Sequence, residues 1–205
     1  MYSPPHHRQK NWEEIKEFIH QNSFAILVSQ VEGKPWATHL PLELGQDAAG
    51  QEVLYGHLAR ANPQWRHLTD TTEVLAIFAG PHAYISSSWY DHENVPTWNY
   101  LAVHVYGRVR IIEGEELYQV LSRLVDKYEA ASAHPVSMEA MSAGYAEQQM
   151  RGIVGLEIQV ADVQATYKLS QNRDDKNYAN IVQELQNRPD EASHQVAEAM
   201  LQARK

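Results

Sequence analysis

Most of the chain shows the hydrophobic pattern of β-strands, as apolar runs or as apolar and polar residues in alternation. The predicted strands are "SFAILVSQ", "PWATHLPLEL", "EVLYGH", "EVLAIFAG", "HAYISSSWY", "PTWNYLAVHVYGRVRII" and "GIVGLEIQV". Turn signals such as "VEGK" separate them. Several short strands joined by turns, without regularly alternating helices, favour an antiparallel barrel or sandwich over βαβ units.

Helical periodicity is limited to a few segments. "NWEEIKEFIHQN" predicts a helix with Asn11 as its N-cap and Glu14 completing a variant of the capping box. "EGEELYQVLSRLVDKYEA" is amphipathic, Met138–Met150 is predicted to be helical, and one or two helices are expected after Asp174. The fold class is therefore mainly β with peripheral helices, an α+β arrangement.

Two strands carry further information. Pro41 cannot donate to a β-ladder, so "PWATHLPLEL" is expected at a sheet edge or with a bulge. The strand over residues 97–112 has two different faces. One suits a barrel interior, with Leu101, Val103, Val105, Val109 and Ile111. The other is amphipathic, with Trp98, Tyr100, His104 and Tyr106, and it either packs beneath the chain's own helices or forms a subunit interface.

Composition narrows the function classes. The 205 residues contain no cysteine, which suits a reducing compartment and leads us to expect a cytoplasmic protein. No stretch reaches the length of a membrane span. A net charge of −9 argues against a broad nucleic-acid surface, so direct DNA binding is doubtful. The 11 histidines do not form a metal-ligand motif, and no metal site is predicted.

The stretch "YGHLARANPQWRHL" begins as a strand and ends as a helix. Asn62 is a favoured N-cap and Pro63 a favoured first helical residue, so a short helix should start there with its N–H groups directed back at the strand end. Arg60 adds a guanidinium two residues before the cap. Together they predict an anion site. Alternatively, Arg60 forms only a surface ion pair and Asn62 only a cap.

A second polar cluster, "KLSQNRDDKN", likewise follows a strand and precedes a helix. Its side chains could face a ligand or simply solvate a turn. The chain has no GxSxG elbow, P-loop, GxGxxG or kinase motif, and "SSSW" lacks an evident base, so no catalytic residue is assigned.

Taken together, several segments resemble the PaiB family, which is described as FMN-binding transcriptional regulators with the split β-barrel of pyridoxamine-phosphate-oxidase-like flavoproteins. The matching segments are "FAILVS", "PWATHLPLEL", "YGHLARANPQW", "LAIFAGPHAYISSSWY", "VPTWNYLAVHVYGRV" and "KLSQNR", in that order. The resemblance implies an FMN-binding split barrel over residues 1–170, and a C-terminal helical extension over 171–205 packed on the same domain.

The resemblance also implies a set of cofactor-binding residues. Arg60, Ala61 and Asn62 would hold the FMN phosphate, and Thr38, His39 and Leu40 would follow the isoalloxazine edge. In such barrels FMN lies at a homodimer interface, so Trp98, Asn99 and Tyr100 would reach the flavin bound mainly by the other subunit. Lys168, Gln171 and Asn172 belong to a family motif that either touches flavin or stabilises the fold.

Three functions remain open at this point. The chain could be a dimeric FMN-binding regulator, as the family description implies, with a negative effect on transcription exerted indirectly. It could be a flavin-dependent oxidoreductase or a haem-handling relative, in which the flavin performs the redox chemistry. It could also be an interaction module that keeps the fold without the ligand.

Overall fold

The computed structural model describes residues 1–204, whose strands form one eight-stranded antiparallel sheet. The strands are β1 Arg8–Gln9, β2 Phe24–Val31, β3 Lys34–Pro41, β4 Glu43–Gln46, β5 Glu52–Ala59, β6 Glu73–Ile85, β7 Thr97–Ile112 and β8 Ile153–Lys168. Their order is β3-β2-β6-β7-β8-β5-β4, and β1 pairs with the end of β8. The predicted mainly β, α+β fold class is confirmed.

Five α-helices accompany the sheet: α1 Trp12–Gln21, α2 Gly114–Glu129, α3 Ala143–Met150, α4 Asp175–Gln186 and α5 Glu191–Ala203. Short 3₁₀ helices cover Pro5–His7, Pro63–His67 and Ser87–Trp89. The N-cap of α1 is confirmed, but the reciprocal bond of a capping box is not formed, because the Asn11 main-chain N–H donates to Gln9 Oε1 at 2.8 Å. Asn11 Oδ1 accepts the Glu13 N–H at 3.1 Å, and Asn11 Nδ2 donates to Glu14 Oε1 at 2.8 Å.

The chain divides into two compact units. The first unit comprises residues 1–18, 78–104 and the chain from 164 onward, and the second comprises 19–77 and 105–163. In the first unit, α4 is capped by Asp174, and Asn180 Nδ2 donates to Trp89 O at 2.5 Å. A domain boundary at residue 170 stays a prediction.

In the second unit, β2 and β3 form a tight hairpin. Glu32 and Gly33 have φ angles of 52° and 77°, the left-handed conformation that a two-residue hairpin turn requires. β3 stands at one end of the sheet order, which confirms the edge position expected from Pro41. Where β3 ends, β5 passes closely, since a Cβ on Gly56 would lie 2.9 Å from the Pro41 carbonyl oxygen.

Three sequence expectations need correction. "EVLAIFAG" and "HAYI" form one strand, β6, because the φ angle that Pro81 fixes is compatible with extended backbone. The predicted helix over Met138–Met150 begins only at Ala143, because Met138 lies in a turn and is buried in an apolar cluster with Leu117 and Leu121 of α2. On β7 the alternation is confirmed through Val109, but Ile112 is buried while Ile111 is half-exposed.

Candidate functional site

The candidate site is the corner of the second unit where β5 ends, the helix Pro63–His67 begins, and β3 lies at the sheet edge. Asn62 has extended backbone, and its side-chain oxygen accepts the Gln64 N–H at 3.0 Å. Pro63 occupies the first helical position. The local sequence signal of a capped helix start is confirmed.

Three residues at this corner form a closed hydrogen-bonded ring, which we call the Thr38–Asn62–Gln64 cluster. Asn62 Nδ2 donates to Thr38 Oγ1 at 2.9 Å, and that hydroxyl donates to Gln64 Oε1 at 2.6 Å. The Gln64 N–H closes the ring on Asn62. Each partner constrains the next, so the edge strand and the helix start are held in one arrangement.

Gln64 anchors this cluster in the interior and was not among the residues expected from sequence. Its side chain is 0% exposed. Its Nε2 donates to Leu27 O at 3.2 Å and to Ser29 Oγ at 3.0 Å, both on β2. The signal in the sequence was an amide side chain directly after the Asn-Pro cap. Once such a side chain is buried, hydrogen-bond partners are expected for it, because buried polar groups are hydrogen-bonded.

Arg60 is held in place by backbone oxygens. Its Nε donates to Arg151 O and its Nη2 to Ile153 O, each at 3.0 Å. Its own N–H donates to Gly152 O at 2.8 Å, and its carbonyl accepts the Trp65 indole N–H at 2.9 Å. A guanidinium has five N–H donors, so these contacts leave the Nη1 group for another acceptor.

The charge around Arg60 is mixed. The guanidinium carbons of Arg60 and Arg66 each lie 5.7 Å from the centre of the Trp65 ring, so two cations flank one indole. Glu113 Oε1 lies 3.5 Å from Arg60 Nη2, an exposed ion pair. The surface ion pair that the sequence left open as an alternative role for Arg60 therefore exists. A second guanidinium, that of Arg66, lies against the same indole ring.

At alternate residues of β3, the main-chain N–H and C=O groups point away from β2, towards the open edge of the sheet. The Leu42 N–H donates to Ser23 O at 2.8 Å, which fixes the phase of the β2–β3 ladder. In an antiparallel pair, residues bonded to the partner strand alternate with residues whose N–H and C=O point outward. Thr38 and Leu40 therefore bond to β2, whereas His39 directs its main-chain groups to the open edge. Pro35 and Pro41 occupy equivalent outward positions, where a missing N–H costs nothing in the ladder.

These features fit FMN, with one correction. A phosphate would find the guanidinium of Arg60 and the nearby charge of Arg66, and a flavin edge would find main-chain donors and acceptors on β3. The expected helix N–H groups contribute little. The helix is a five-residue 3₁₀ turn, Pro63 has no N–H, and the Gln64 N–H is bonded to Asn62. A phosphate bound at this corner would therefore have to be held by side chains and by the loop before the helix.

His57, on β5 three residues before Arg60, belongs to the same matching segment. Burial lowers the pKa of its imidazole, and its Nδ1 is buried without a hydrogen-bond partner. The neutral ring is therefore favoured at neutral pH. As a whole, the His57 residue is half-buried.

The predicted residues of β7 lie in the first unit and differ in exposure. Trp98 is 53% exposed, and its ring centre lies 5.9 Å from that of His82 and 5.8 Å from that of Tyr84. Tyr100 is half-buried on the same face. Asn99 points into the interior, where its Oδ1 accepts the Ser170 hydroxyl at 3.1 Å. Side-chain contact with flavin thus stays a prediction for Trp98 and Tyr100, and only the backbone of Asn99 remains available for it.

The "KLSQNR" residues are also in the first unit. Lys168 Nζ donates to Thr97 Oγ1, and burial lowers the pKa of its ammonium group. The Gln171 side chain accepts the Leu169 N–H at 2.9 Å and bonds to His7 Nδ1 at 2.9 Å. These contacts favour the structural alternative for Gln171. Asn172 is exposed, and its role stays a prediction.

Two general features are absent from the described part of the chain. Between residues 1 and 204, His, Asp and Glu side chains nowhere gather in a group of three or more that could hold a metal ion. No helix in that range combines the length and apolar character needed to cross a membrane.

The chain matches a protein-family model over most of its length. Residues 1–162 match the model of the family described as "Putative FMN-binding domain". Over 200 residues the chain is 46% identical to the protease synthase and sporulation protein PAI 2 of Bacillus subtilis, covering 98% of this chain and 96% of that protein.

Comparison with solved structures supports the fold. The FAD and haem binding protein of Mycobacterium smegmatis superposes with a TM-score of 0.61 at 12% identity, over 84% of this chain and 78% of that one. A flavocytochrome from Azotobacter vinelandii gives a TM-score of 0.61 at 16% identity, over 84% and 74% respectively. At such identities the likeness establishes the split-barrel fold alone.

Proposed function

The chain belongs to the PaiB family of FMN-binding proteins, and from this membership we propose that it is a homodimeric flavoprotein that anchors the FMN phosphate at Arg60 and affects transcription indirectly. FMN is its cofactor. When bound, the flavin supplies redox chemistry, and the protein binds and orients it.

The observation that carries this proposal is the fixed guanidinium of Arg60 beside the Thr38–Asn62–Gln64 cluster. Because two backbone carbonyls hold the guanidinium, it needs little reordering to meet an oxyanion. Arg66 adds positive charge around the same indole ring. The main-chain groups of His39, at the open edge, would meet the pyrimidine end of the flavin.

Comparing FMN with riboflavin tests the phosphate site, because the two flavins differ only in the phosphate. Titration of flavin-free protein, followed by flavin fluorescence, should give much tighter binding of FMN. Arg60→Ala should weaken FMN binding at least about tenfold, since a charge-assisted hydrogen bond contributes roughly 1.5–3 kcal/mol, and leave riboflavin binding nearly unchanged. Arg108→Ala removes an exposed arginine of β7 and serves as the control. Equal affinity of the wild-type chain for both flavins would refute the phosphate site.

Exposed apolar side chains support the homodimer. In the first unit, Trp98, Tyr84 and His82 form an exposed ring cluster on β6 and β7. In the second unit, Phe24 of β2 is 69% exposed and lies against the His39 ring. Aromatic residues are enriched in protein interfaces, and we propose that a second copy of the chain covers these surfaces.

The net negative charge supports an indirect effect on transcription over direct DNA binding. With 17 basic and 26 acidic residues, the chain and the DNA backbone repel each other at long range. Specific DNA-binding domains present a reader element surrounded by several phosphate contacts. We therefore propose that a protein partner or a metabolite transmits the regulatory effect.

A further inference from the structure

Glu113 occupies an unusual position for a carboxylate at the start of a helix. It stands between β7 and α2 with extended backbone, at φ −141° and ψ 175°, in the N-cap position of α2. Its side chain makes no capping hydrogen bond with the N–H groups of that helix. Instead, its Oε1 lies 3.5 Å from Arg60 Nη2.

The two members of this ion pair differ in mobility. Arg60 is tied to the backbone oxygens of Arg151 and Ile153. Glu113 has no comparable tether, and its side chain is 66% exposed against 44% for Arg60. An anion arriving at the guanidinium would therefore displace the carboxylate and leave the arginine where it is.

We propose that Glu113 is a specificity-determining residue of the flavin site, an internal counter-ion that occupies Arg60 in the flavin-free protein and is displaced by the phosphate of FMN. This inference rests on the proposed phosphate site at Arg60. A phosphate monoester carries between one and a half and two negative charges at neutral pH, roughly twice the charge of a carboxylate, so it should win the competition. The carboxylate nevertheless lowers FMN affinity, because its contact with Arg60 must first be lost.

The consequence is an exchangeable cofactor. By weakening only the phosphate contact, Glu113 reduces the advantage of FMN over riboflavin. It also gives Arg60 a replacement partner when the phosphate departs, which favours release. In the flavin-free state it offsets the charge of Arg60 and Arg66 at the site.

The test is the affinity of flavin-free, full-length Glu113→Gln for FMN and for riboflavin. Exposed ion pairs contribute little individually, so we expect the Kd for FMN to fall by about two- to fivefold, with no change for riboflavin. The matched control is Glu115→Gln, which removes the same charge two residues further along. The Glu115 carboxylate accepts Gln119 Nε2 at 3.2 Å, and its removal should alter neither Kd.

The outcomes separate the two proposals. If wild-type protein binds FMN and riboflavin equally, the proposed phosphate site is refuted, and the proposed role of Glu113 is refuted as well. If the wild type prefers FMN but Glu113→Gln binds it no more tightly than Glu115→Gln does, only the counter-ion role is overturned. A gain that persists in an Arg60→Ala background, or that extends equally to riboflavin, also overturns it, because the effect would then not pass through Arg60.

Discussion

Replacing Gln64 with leucine tests whether the buried amide holds the candidate site together. The substitution introduces an apolar side chain of comparable bulk and removes both the hydrogen-bond donor and the acceptor. Three side-chain hydrogen bonds are lost, one from Thr38 at 2.6 Å, one to Leu27 O at 3.2 Å and one to Ser29 Oγ at 3.0 Å. The edge strand β3 and the helix Pro63–His67 then lose their shared anchor on β2.

The expected cost follows from these contacts. A hydrogen bond contributes about 0.5–1.5 kcal/mol net, and a buried partner left unsatisfied costs more. Ser29 is buried and Thr38 half-buried, so neither recovers full hydration. The additional apolar burial of leucine offsets part of the loss. We expect the free energy of unfolding to fall by about 2–3 kcal/mol, and the Tm by roughly 4–12 °C for a chain of this size.

Urea unfolding, followed by tryptophan fluorescence and circular dichroism, measures this change. The midpoint should fall with an unchanged m-value, because the surface exposed on unfolding is nearly the same. Gln30→Leu is the control, since Gln30 is an exposed residue of β2 and its replacement should cost less than about 0.5 kcal/mol. FMN binding should weaken in Gln64→Leu, because Thr38 and Asn62 lose their fixed geometry.

The reasoning would be refuted if Gln64→Leu were as stable as Gln30→Leu. It would also be refuted if stability fell but the preference for FMN over riboflavin were unaltered, because the cluster would then support the fold without positioning the site.

The remaining predictions use other parts of the molecule. Burial lowers the pKa of His57 below its ordinary value of 6.5, so the unfolded state binds the proton first and stability is lost as the pH falls below that value. His57→Gln should show a smaller loss between pH 7.5 and 5.5 in urea titrations, and an unchanged loss would contradict this. Gly107→Ala should lower the free energy of unfolding by about 1–3 kcal/mol in thermal melts, because the new methyl would overlap the main-chain carbonyl oxygen of Gln159 and lie 2.7 Å from Ile158 Cγ2. Gly144→Ala, with open space at the position, should not destabilise. Trp98→Asp should shift the proposed homodimer towards monomer in light scattering, and a monomeric wild-type protein with flavin bound would rule out a shared site. In anisotropy titrations at physiological salt, the isolated protein should not bind DNA with nanomolar affinity in the presence of competitor DNA. Binding of that kind would mean that the protein regulates transcription directly.

Local patterns in the sequence were enough for much of the fold. Alternating hydrophobicity identified the strands. The glycine in "VEGK" marked the turn of the hairpin, because a short hairpin turn needs residues with positive φ, which Gly33 adopts. The caps at Asn11 and Asn62 were readable because a cap involves residues only two or three positions apart. Pro41 marked the edge strand, since a missing N–H is a property of the residue itself.

The site depended on contacts that no local pattern encodes. Gln64 bonds to residues 37 and 35 positions away, and Arg60 to carbonyls 91 and 93 positions away. Which atoms meet over such separations is set by sheet order and register, and a shift of one residue turns every side chain to the opposite face. The sequence by itself therefore determined which residue types stand at the corner. Tertiary structure alone decided that Gln64 anchors the corner, that backbone oxygens fix Arg60, and that Glu113 lies 3.5 Å from its guanidinium.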